Sequence, residues 1–314
     1  MEKRPAQHDI LRAVGSTPLV ELRRVPVKPG VRLYAKLEGM NPSGSIKDRI
    51  ARAMVEEAEA RGRLHAGDTI VEASTGNTAL ALALISRQRG YKLKVVMPTR
   101  VAPGIAELLQ LFGAEVVWCE PKVGMKSTID MARQLGGEPG HVALLQFENQ
   151  ANIRAHYDGT AAEILGGLGH VDAFVAGIGT GGTLTGVGRR LKEVNPATQI
   201  IGVEPRFGEH LQGLRSLEEG YIPPLLDMSL LDGRFLVDTQ TAFQRARALA
   251  HSEGILAGVS SGAVLHAALR LAERMDGGNI VCCFADGGWK YLPSYLATFK
   301  PYDTAGSSDD IAWW

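Results

Sequence analysis

The chain has 314 residues, 45% hydrophobic and 22% charged, which is ordinary for a globular protein and enough for one large or two medium domains. Lysine plus arginine and aspartate plus glutamate each number 34, so the balanced charge indicates neither a nucleic-acid partner nor an acidic one. No apolar run reaches membrane-spanning length and the first ten residues are polar, so we expect a cytoplasmic protein with no membrane partner.

The three cysteines agree with a reducing compartment. Cys119 stands alone, whereas Cys282 and Cys283 are neighbours in the apolar run at residues 280–284. There is no Cys-x-x-Cys pair and no zinc-ligand spacing, so no metal site is predicted. We expect the two neighbouring cysteines to be buried strand residues.

Strand-like and helix-like segments alternate along the whole chain. Strands are predicted at residues 31–37, 69–73, 93–97, 115–119, 173–176, 199–203 and 279–284. Helices are predicted at residues 50–61, 79–90, 105–112, 127–135, 151–165, 187–195 and 243–253, and another opens near 258–263. This alternation predicts an α/β fold of two lobes, each a mostly parallel sheet covered by helices. Active sites in such sheets gather at the carboxyl ends of the strands.

A polar turn places one lysine at a helix entrance. In Asn-Pro-Ser-Gly-Ser-Ile-Lys-Asp-Arg, residues 41–49, Pro42 and Gly44 break regular structure and Ser45 is a candidate N-cap. A lysine in the first helical turn opposes the helix dipole, which favours its neutral amine. Such an amine attacks carbonyl groups, as in Schiff-base chemistry. Lys47 is therefore a candidate catalytic residue, and a solvated surface lysine is the alternative.

The glycine-rich segment at residues 177–186, Gly-Ile-Gly-Thr-Gly-Gly-Thr-Leu-Thr-Gly, suits an anion. Its glycines let backbone amides approach closely, the next helix directs its N-terminus at the loop, and Thr180 and Thr183 add hydroxyl donors. The segment also matches the G-x-G-x-x-G pattern of dinucleotide sites, and Glu204 ends the following strand at a fitting distance. We favour a phosphate-monoester cradle, with the dinucleotide site left open.

Two further loops carry hydroxyl groups at expected sheet edges. Ser-Thr-Gly-Asn-Thr at residues 74–78 suits a carboxylate or a polar ring substituent, and Ser260 and Ser261 open another helix. Each loop can instead be a simple helix cap. A lysine, a phosphate cradle and two polar loops together are what pyridoxal phosphate requires for its aldehyde, phosphate, ring oxygen and ring nitrogen.

These segments jointly resemble the cysteine synthases among the fold-type II pyridoxal-phosphate enzymes, and the resemblance runs from about residue 15 to residue 292. It is carried by Gly-Ser-Thr-Pro-Leu at 15–19, Lys-Leu-Glu-Gly-Met-Asn-Pro-Ser-Gly-Ser-Ile-Lys-Asp-Arg at 36–49, Ser-Thr-Gly-Asn-Thr at 74–78, Gln-Phe at 146–147, Gly-Thr-Gly-Gly-Thr at 179–183 and Glu-Gly-Ile-Leu-Ala-Gly-Val-Ser-Ser-Gly at 253–262.

The resemblance implies a role for each matched residue. Lys47 is the Schiff-base lysine and general base, Asn77 hydrogen-bonds the 3′-oxygen of the cofactor ring, and Ser260 faces the ring nitrogen. The cofactor phosphate is implied to be held by Gly179, Thr180, Gly181, Gly182 and Thr183. The substrate is implied to be bound by Ser74, Thr75, Gly76, Thr78 and Gln146.

The implied reaction is a β-replacement that makes L-cysteine from O-acetyl-L-serine or O-phospho-L-serine. Lys47 removes the α-proton, the leaving group departs, and the resulting α-aminoacrylate adds sulfur from sulfide, thiosulfate or a carrier thiocarboxylate. The resemblance also implies a homodimer. It further implies a larger cofactor-phosphate domain, residues 1–40 and 147–314, and a smaller mobile substrate domain, residues 41–146.

One segment bears on substrate choice. Residues 204–215 resemble the B-type enzymes, which carry an arginine at the position of Arg215 where A-type enzymes have a small residue. If Arg215 faces the cleft, its fork suits a phosphate leaving group or an anionic sulfur donor, and a surface arginine is the alternative. We therefore expect O-phosphoserine to be used at least as well as O-acetylserine.

The chain departs from the family pattern at several places. Thr75 and Ala79 replace a serine and a glycine, the loop at residues 99–105 differs, and Asp-Gly-Gly-Trp-Lys at 286–290 replaces Ser-Gly-Glu-Arg. A tail ending in Trp313 and Trp314 either folds over the cleft or, as we expect, is disordered. The alternative functions are another fold-type II lyase of the cystathionine β-synthase kind and an NAD-dependent oxidoreductase.

Overall fold

Two sheets organise the chain in a computed structural model that describes residues 9–99, 104–120 and 124–292. The larger sheet consists, in spatial order, of β1 (Leu19–Glu21), β2 (Val31–Leu37), β10 (Gly278–Phe284), β7 (Ala173–Gly177), β8 (Gln199–Pro205) and β9 (Gly233–Val237). Only β1 runs antiparallel to its neighbour, and the other strands pair in parallel. The smaller sheet is wholly parallel and consists of β5 (Glu115–Cys119), β4 (Lys92–Pro98), β3 (Thr69–Ala73) and β6 (His141–Ala143).

Nine α-helices lie within the described residues. They are α1 (Lys47–Ala60), α2 (Asn77–Arg89), α3 (Ile105–Leu111), α4 (Gly124–Leu135), α5 (Gln150–Ala155), α6 (Ala162–Leu168), α7 (Gly182–Val194), α8 (Thr239–Glu253) and α9 (Val259–Ala272). A π-helical segment, His156–Ala161, joins α5 to α6.

Helices cover both faces of each sheet. Helices α8 and α9 pack on one face of the larger sheet and α6 and α7 on the other. In the smaller sheet, the neighbouring residues Ile70 and Val71 point to opposite faces. Helices α1 and α2 cover the face of Ile70, and α4 covers the face of Val71. Burial on both faces explains why these strands read as continuous apolar runs. The predicted α/β fold of two helix-covered, mostly parallel sheets is confirmed.

The elements differ from the prediction at one helix start, within one helix and at three strands. Helix α7 begins at Gly182 rather than near residue 187, because Gly181 takes a left-handed conformation (φ +86°) and the helical turn starts directly after it. The single helix predicted at 151–165 contains the π-helical segment. Strands β1, β6 and β9 were not predicted. Strands β1 and β6 have only three residues each, all half-buried, and β9, at the sheet edge, fully buries only Val237.

The smaller sheet lies entirely within residues 41–146, and the larger sheet lies entirely outside them. The division into two domains at these boundaries stays a prediction. Cys282 and Cys283 are buried residues of β10, as predicted. In the described part of the chain, no helix is both long and apolar enough to span a membrane. Trp313 and Trp314 and most of the loop at 99–105 lie outside the described residues.

Candidate active site

A cavity of about 440 Å³ lies between loops of the two sheets. Its lining comes from segments that follow the carboxyl ends of parallel strands: residues 74–78 after β3, 179–183 after β7, 209–216 after β8 and 285–286 after β10. This is the sheet edge at which ligand sites of α/β proteins gather. The cavity also contains Lys47, Gln146 and Ser260, which the sequence marked as candidate site residues.

Lys47 is the first residue of α1 and lines the cavity, so the surface-lysine alternative is wrong. Ser45 is not the N-cap, a position held by Ile46, but its hydroxyl oxygen accepts the backbone N–H of Lys47 at 3.3 Å. Burial lowers the pKa of Lys47, and the neighbouring Cys283 and Asp286 oppose that shift only in part. A lowered pKa increases the fraction of neutral amine, which is the nucleophilic form.

The start of α7 has the features of an anion-binding site, called the anion cradle below. Gly179, Thr180, Gly181 and Thr183 line the cavity, and the first N–H groups of the helix have no carbonyl partner within the helix. The hydroxyl oxygen of Thr180 accepts N–H groups from Asn152 at 3.1 Å and from Gly182 at 3.4 Å. Its own hydrogen is thereby free to be donated into the cavity.

Two of the cradle glycines are needed for close packing behind the cavity. A Cβ at Gly181 would lie 2.5 Å from the backbone nitrogen of Leu226, and a Cβ at Gly182 would lie 2.0 Å from Oδ1 of Asn152. Gly182 is not part of the cavity lining, so its predicted contact with the cofactor stays a prediction. Both glycines let the loop sit deep enough for its amides to face the cavity.

A buried histidine stands behind the second threonine of the cradle. Nε2 of His156 lies 3.2 Å from Oγ1 of Thr183, and Nδ1 lies 3.0 Å from Oγ1 of Thr160. Burial, followed by the positive charges of Lys47 and Arg49, holds the pKa of His156 well below its usual value. His156 is therefore neutral, and it orients the Thr183 hydroxyl without adding charge.

The loop at residues 74–78 is part cap and part cavity wall. The hydroxyl oxygen of Ser74 accepts the N–H groups of Gly76 and Ala79, each at 3.2 Å, so the capping alternative is realised for this residue. All five residues of the loop nevertheless line the cavity. The start of α2 therefore presents free backbone N–H groups there, which suits a carboxylate.

Gln146 is held from two sides next to this loop. Its Oε1 accepts the hydroxyl hydrogen of Thr78 at 2.6 Å, and its Nε2 donates to the carbonyl of Ala73 at 3.1 Å. The carboxyl group of Glu72 accepts the backbone N–H of Gln146 at 3.3 Å. Preceding residue Leu145 has a left-handed φ of +55°, which is unusual for a residue with a branched side chain. Glu72 thus stabilises the turn that points Gln146 into the cavity.

Asn77 and Ser260 line the cavity from the starts of two different helices, α2 and α9. Asn77 is the first residue of α2, and its amide is hydrogen-bonded to Asp286 and Lys290. Ser260 lies in the first turn of α9 and lines the cavity, whereas Ser261 is fully buried outside the lining. No side chain caps α9, so the capping alternative for these serines is not realised.

Arg215 faces the cavity rather than the surface. Its guanidinium stacks over the ring of Phe147 at 4.8 Å and lies 5.7 Å from the ring of Tyr221. Burial lowers the pKa of Arg215, although the group stays charged. Within the described residues it forms no ion pair with a carboxylate, so a positive charge remains for a ligand. The surface-arginine alternative is wrong.

The comparisons with known proteins decide the family. Residues 10–286 match the family model described as "Pyridoxal-phosphate dependent enzyme". The chain belongs to the pyridoxal-phosphate dependent enzymes. This membership confirms the prediction that the protein is an enzyme whose cofactor is pyridoxal 5′-phosphate.

Individual relatives of this pyridoxal-phosphate enzyme cover almost its whole length. A cysteine synthase from Staphylococcus aureus is 40% identical over 309 residues, covering 95% of this chain and 99% of the relative. Cysteine synthase B from Pseudomonas aeruginosa is 40% identical over 286 residues, covering 91% and 96%. The crystal structure of an O-ureido-L-serine synthase matches with a TM-score of 0.87 at 35% identity, covering 98% of each chain.

The cavity of this pyridoxal-phosphate enzyme fits its cofactor by the chemistry of its donors. The start of α7 and the Thr180 hydroxyl suit a phosphate monoester, the amide of Asn77 suits a ring oxygen, and the amine of Lys47 suits an aldehyde. The dinucleotide alternative lacks its ribose ligand, because Glu204 is fully buried and bonded to Leu217 and Arg234.

Several residues around the site were not predicted from the sequence. They are Glu72, Phe147, Asn152, His156, Asp286 and Lys290. For Asp286 and Lys290 a signal existed, since their segment departs from the family pattern at a predicted sheet edge. Phe147 lines the cavity itself and follows Gln146 in a segment that carried the resemblance. Glu72, Asn152 and His156 act from behind residues that touch the cavity, and no local pattern marks such a position.

Proposed function

We propose that this chain is a pyridoxal-phosphate dependent cysteine synthase, which replaces a leaving group on the β-carbon of an activated L-serine with sulfur. The observation that carries the proposal is one cavity that combines Lys47, the anion cradle of α7 and the polar loop at residues 74–78. The family membership and the two relatives named cysteine synthase agree with this activity.

Lys47 has two tasks in this proposal. The bound cofactor supplies an electron-withdrawing ring that makes the α-hydrogen of an attached amino acid acidic. Lys47 holds the cofactor through Nζ and, once the substrate has replaced it, takes up the α-proton at the same nitrogen. The pKa lowered by burial suits both tasks, because each requires an amine without its extra proton.

The substrate carboxylate is held by the start of α2. Backbone N–H groups within residues 74–78 face the cavity, and the free hydrogens of the Ser74 hydroxyl and of the Gln146 amide add donors. The hydrogen bond between Thr78 and Gln146 keeps that amide in place. In this binding mode the α-carbon lies in the same cavity as Nζ of Lys47.

Arg215 is proposed to select an anionic leaving group. Its stacking on Phe147 fixes the plane of the guanidinium, so the fork faces the cavity with little loss of side-chain entropy on binding. A phosphate dianion accepts two such N–H groups, whereas a neutral acetyl ester offers one weak acceptor. We therefore assign O-phospho-L-serine as a substrate at least as good as O-acetyl-L-serine. The same cation suits an anionic sulfur donor such as thiosulfate or a thiocarboxylate.

Assembly, motion and location remain proposals of their own. We propose a homodimer in the cytoplasm, with residues 41–146 moving against the rest of the chain. The sheet division supports the motion, because Lys47 and the carboxylate loop belong to elements packed on the smaller sheet, whereas the cradle belongs to the larger one.

The activity is tested with purified protein supplied with pyridoxal phosphate, O-acetyl-L-serine and sulfide. We expect a visible absorption band from the lysine-bound cofactor and formation of L-cysteine. Lys47→Ala should remove that band and lower cysteine formation by about 10²-fold to 10⁴-fold, the usual contribution of a general base. Lys126→Ala, which removes an exposed lysine of α4, is the matched control. Full cysteine formation by Lys47→Ala, or protein that stays colourless with the cofactor, would contradict the proposal.

A further inference from the structure

Two charged residues bracket the side-chain amide of Asn77. Nδ2 of Asn77 donates to Oδ2 of Asp286 at 2.7 Å, and Nζ of Lys290 donates to Oδ1 of Asn77 at 2.7 Å. A carboxylate accepts hydrogen bonds and an ammonium group only donates them. The pair therefore specifies which end of the amide is nitrogen and which is oxygen, a choice that an asparagine alone leaves open.

Asp286 is rigidly held in the position that this task needs. The hydroxyl of Tyr291 donates to the same Oδ2, and the backbone carbonyl of Asp286 accepts the N–H of Gly258 at 2.9 Å. A Cβ at residue 258 would lie 1.9 Å from Oδ1 of Asp286, so glycine is required there. Asp286 is 3% exposed and lines the cavity, and its Oδ1 has no hydrogen-bond partner among the described residues.

Lys290 ties the same amide to the turn that precedes the catalytic lysine. Its Nζ also donates to the carbonyl of Gly44 at 3.3 Å, and an isolated β-bridge joins Ser45 to Asp286. The hydrogen bonds of Asp286 and Lys290 thus connect α2, the turn before α1 and the segment after β10. These are the three elements that place Asn77, Lys47 and the cavity wall relative to one another.

The two charges are costly where they stand. Burial raises the pKa of Asp286 and lowers the pKa of Lys290, so each group loses solvation that neither fully regains. Replacing such a pair by apolar residues is often neutral or stabilising. Fold stability alone is therefore a weak reason for placing these two charges on either side of the Asn77 amide.

We propose that Asp286 and Lys290 are positioning residues that hold Asn77 as a hydrogen-bond donor to the ring oxygen of the cofactor. This inference rests on the proposed function. With Nδ2 committed to Asp286 through one hydrogen, the second hydrogen of that nitrogen is left for the ring oxygen. If the amide rotated by half a turn, its own oxygen would face the ring oxygen, and the two acceptors would repel each other.

The test is the visible absorption spectrum of the bound cofactor without substrate. In the lysine-bound cofactor a proton lies either on the ring oxygen or on the linking nitrogen, and the two forms absorb at different wavelengths. A donor at the ring oxygen favours the form with the proton on nitrogen, which absorbs at longer wavelength. Asn77→Ala removes the donor and defines the direction of the spectral change.

We expect Lys290→Met and Asp286→Asn to shift the ratio of the two bands in the direction of Asn77→Ala, by roughly fivefold, as the loss of one hydrogen bond predicts. Lys290→Arg should restore the wild-type ratio, because it supplies a donor again. Lys126→Met is the matched control and should leave the spectrum unchanged. Because Lys290 is only half-buried, we expect its variants to fold, so they test the proposal even if Asp286→Asn does not fold.

Two negative outcomes are distinguishable. If Asn77→Ala changes the spectrum but Lys290→Met does not, the positioning role is refuted while the proposed function stands. The positioning role is refuted in the same way if Lys290→Arg behaves like Lys290→Met while both fold. If the wild-type protein shows no cofactor band at all, the proposed function itself fails.

Discussion

Removing the guanidinium of Arg215 should damage the reaction of O-phospho-L-serine far more than that of O-acetyl-L-serine. Arg215 lines the cavity, and within the described residues no carboxylate neutralises it. Its stacking on Phe147 holds the group at 4.8 Å from the ring centroid, and the residue is half-buried before substrate binds. The substitution Arg215→Ala therefore removes a preformed anion site rather than a solvated surface charge.

The expected size follows from the hydrogen bonds that are lost. A hydrogen bond to a charged group contributes about 1.5 to 3 kcal/mol, and about 1.4 kcal/mol corresponds to a tenfold change in rate or affinity. We expect kcat/KM for O-phospho-L-serine to fall by roughly 10-fold to 150-fold. For O-acetyl-L-serine, which carries no charge on the leaving group, we expect a change of less than about threefold. Arg215→Lys should lie in between, because it keeps the charge but loses the planar fork.

The assay is L-cysteine formation at fixed sulfide with each serine ester varied in turn. Arg270→Ala, which removes an exposed arginine of α9, controls for the loss of one positive charge. Equal losses of kcat/KM for the two esters would refute the assignment, since a general structural effect does not distinguish the leaving groups. Undiminished use of O-phospho-L-serine by Arg215→Ala would refute it as well.

Three further predictions test residues around the cavity. Gly182→Ala places a Cβ 2.0 Å from Oδ1 of Asn152 and should weaken cofactor binding by about tenfold or more, measured by titrating the apoprotein with pyridoxal phosphate. Burial raises the pKa of Glu72 to about 8, so the folded protein keeps a proton that the unfolded chain releases near pH 4.5. Its contribution to stability is complete below pH 4.5 and is lost as the pH rises to 8, so urea midpoints of Glu72→Gln should fall less over that window than those of wild type. Arg49→Met leaves the fully buried carboxylate of Glu38 without its cation and should cost about 3 to 5 kcal/mol in urea unfolding, and a loss below about 1 kcal/mol would contradict this expectation.

The parts of the site that the sequence could predict are those in which one short segment carries both the turn and the functional group. Lys47 follows its turn within six residues, and the glycines and threonines of the cradle are contiguous. Helix and strand periods are also local, so most element bounds were predicted to within a few residues. The start of α7 was an exception, because five of its first seven positions are threonine or glycine, which hides the helical period.

The parts that could not be predicted depend on contacts between distant segments. Asn77 and Lys290 are 213 positions apart, and their hydrogen bond exists only because α2 and the segment after β10 meet at the cavity. The orientation of Arg215, which follows β8, depends likewise on the ring of Phe147, which follows β6. Periodicity carries no information about such pairs, so only the structure could decide between a surface arginine and a cavity residue.

The placement of these groups on two sheets has a consequence for substrate choice. The carboxylate loop follows β3 of the smaller sheet, whereas Arg215 follows β8 of the larger one. O-phospho-L-serine carries one anion at each end, so in the proposed binding mode it contacts both sheets, whereas O-acetyl-L-serine engages only the carboxylate loop with charge. Phosphate binding at Arg215 therefore favours any arrangement that brings the sheets together around Lys47. In the same proposed binding mode, departure of the phosphate removes that link before sulfur is added, so we expect the substrate to join the two sheets while the α-proton is taken and not when the sulfur donor enters.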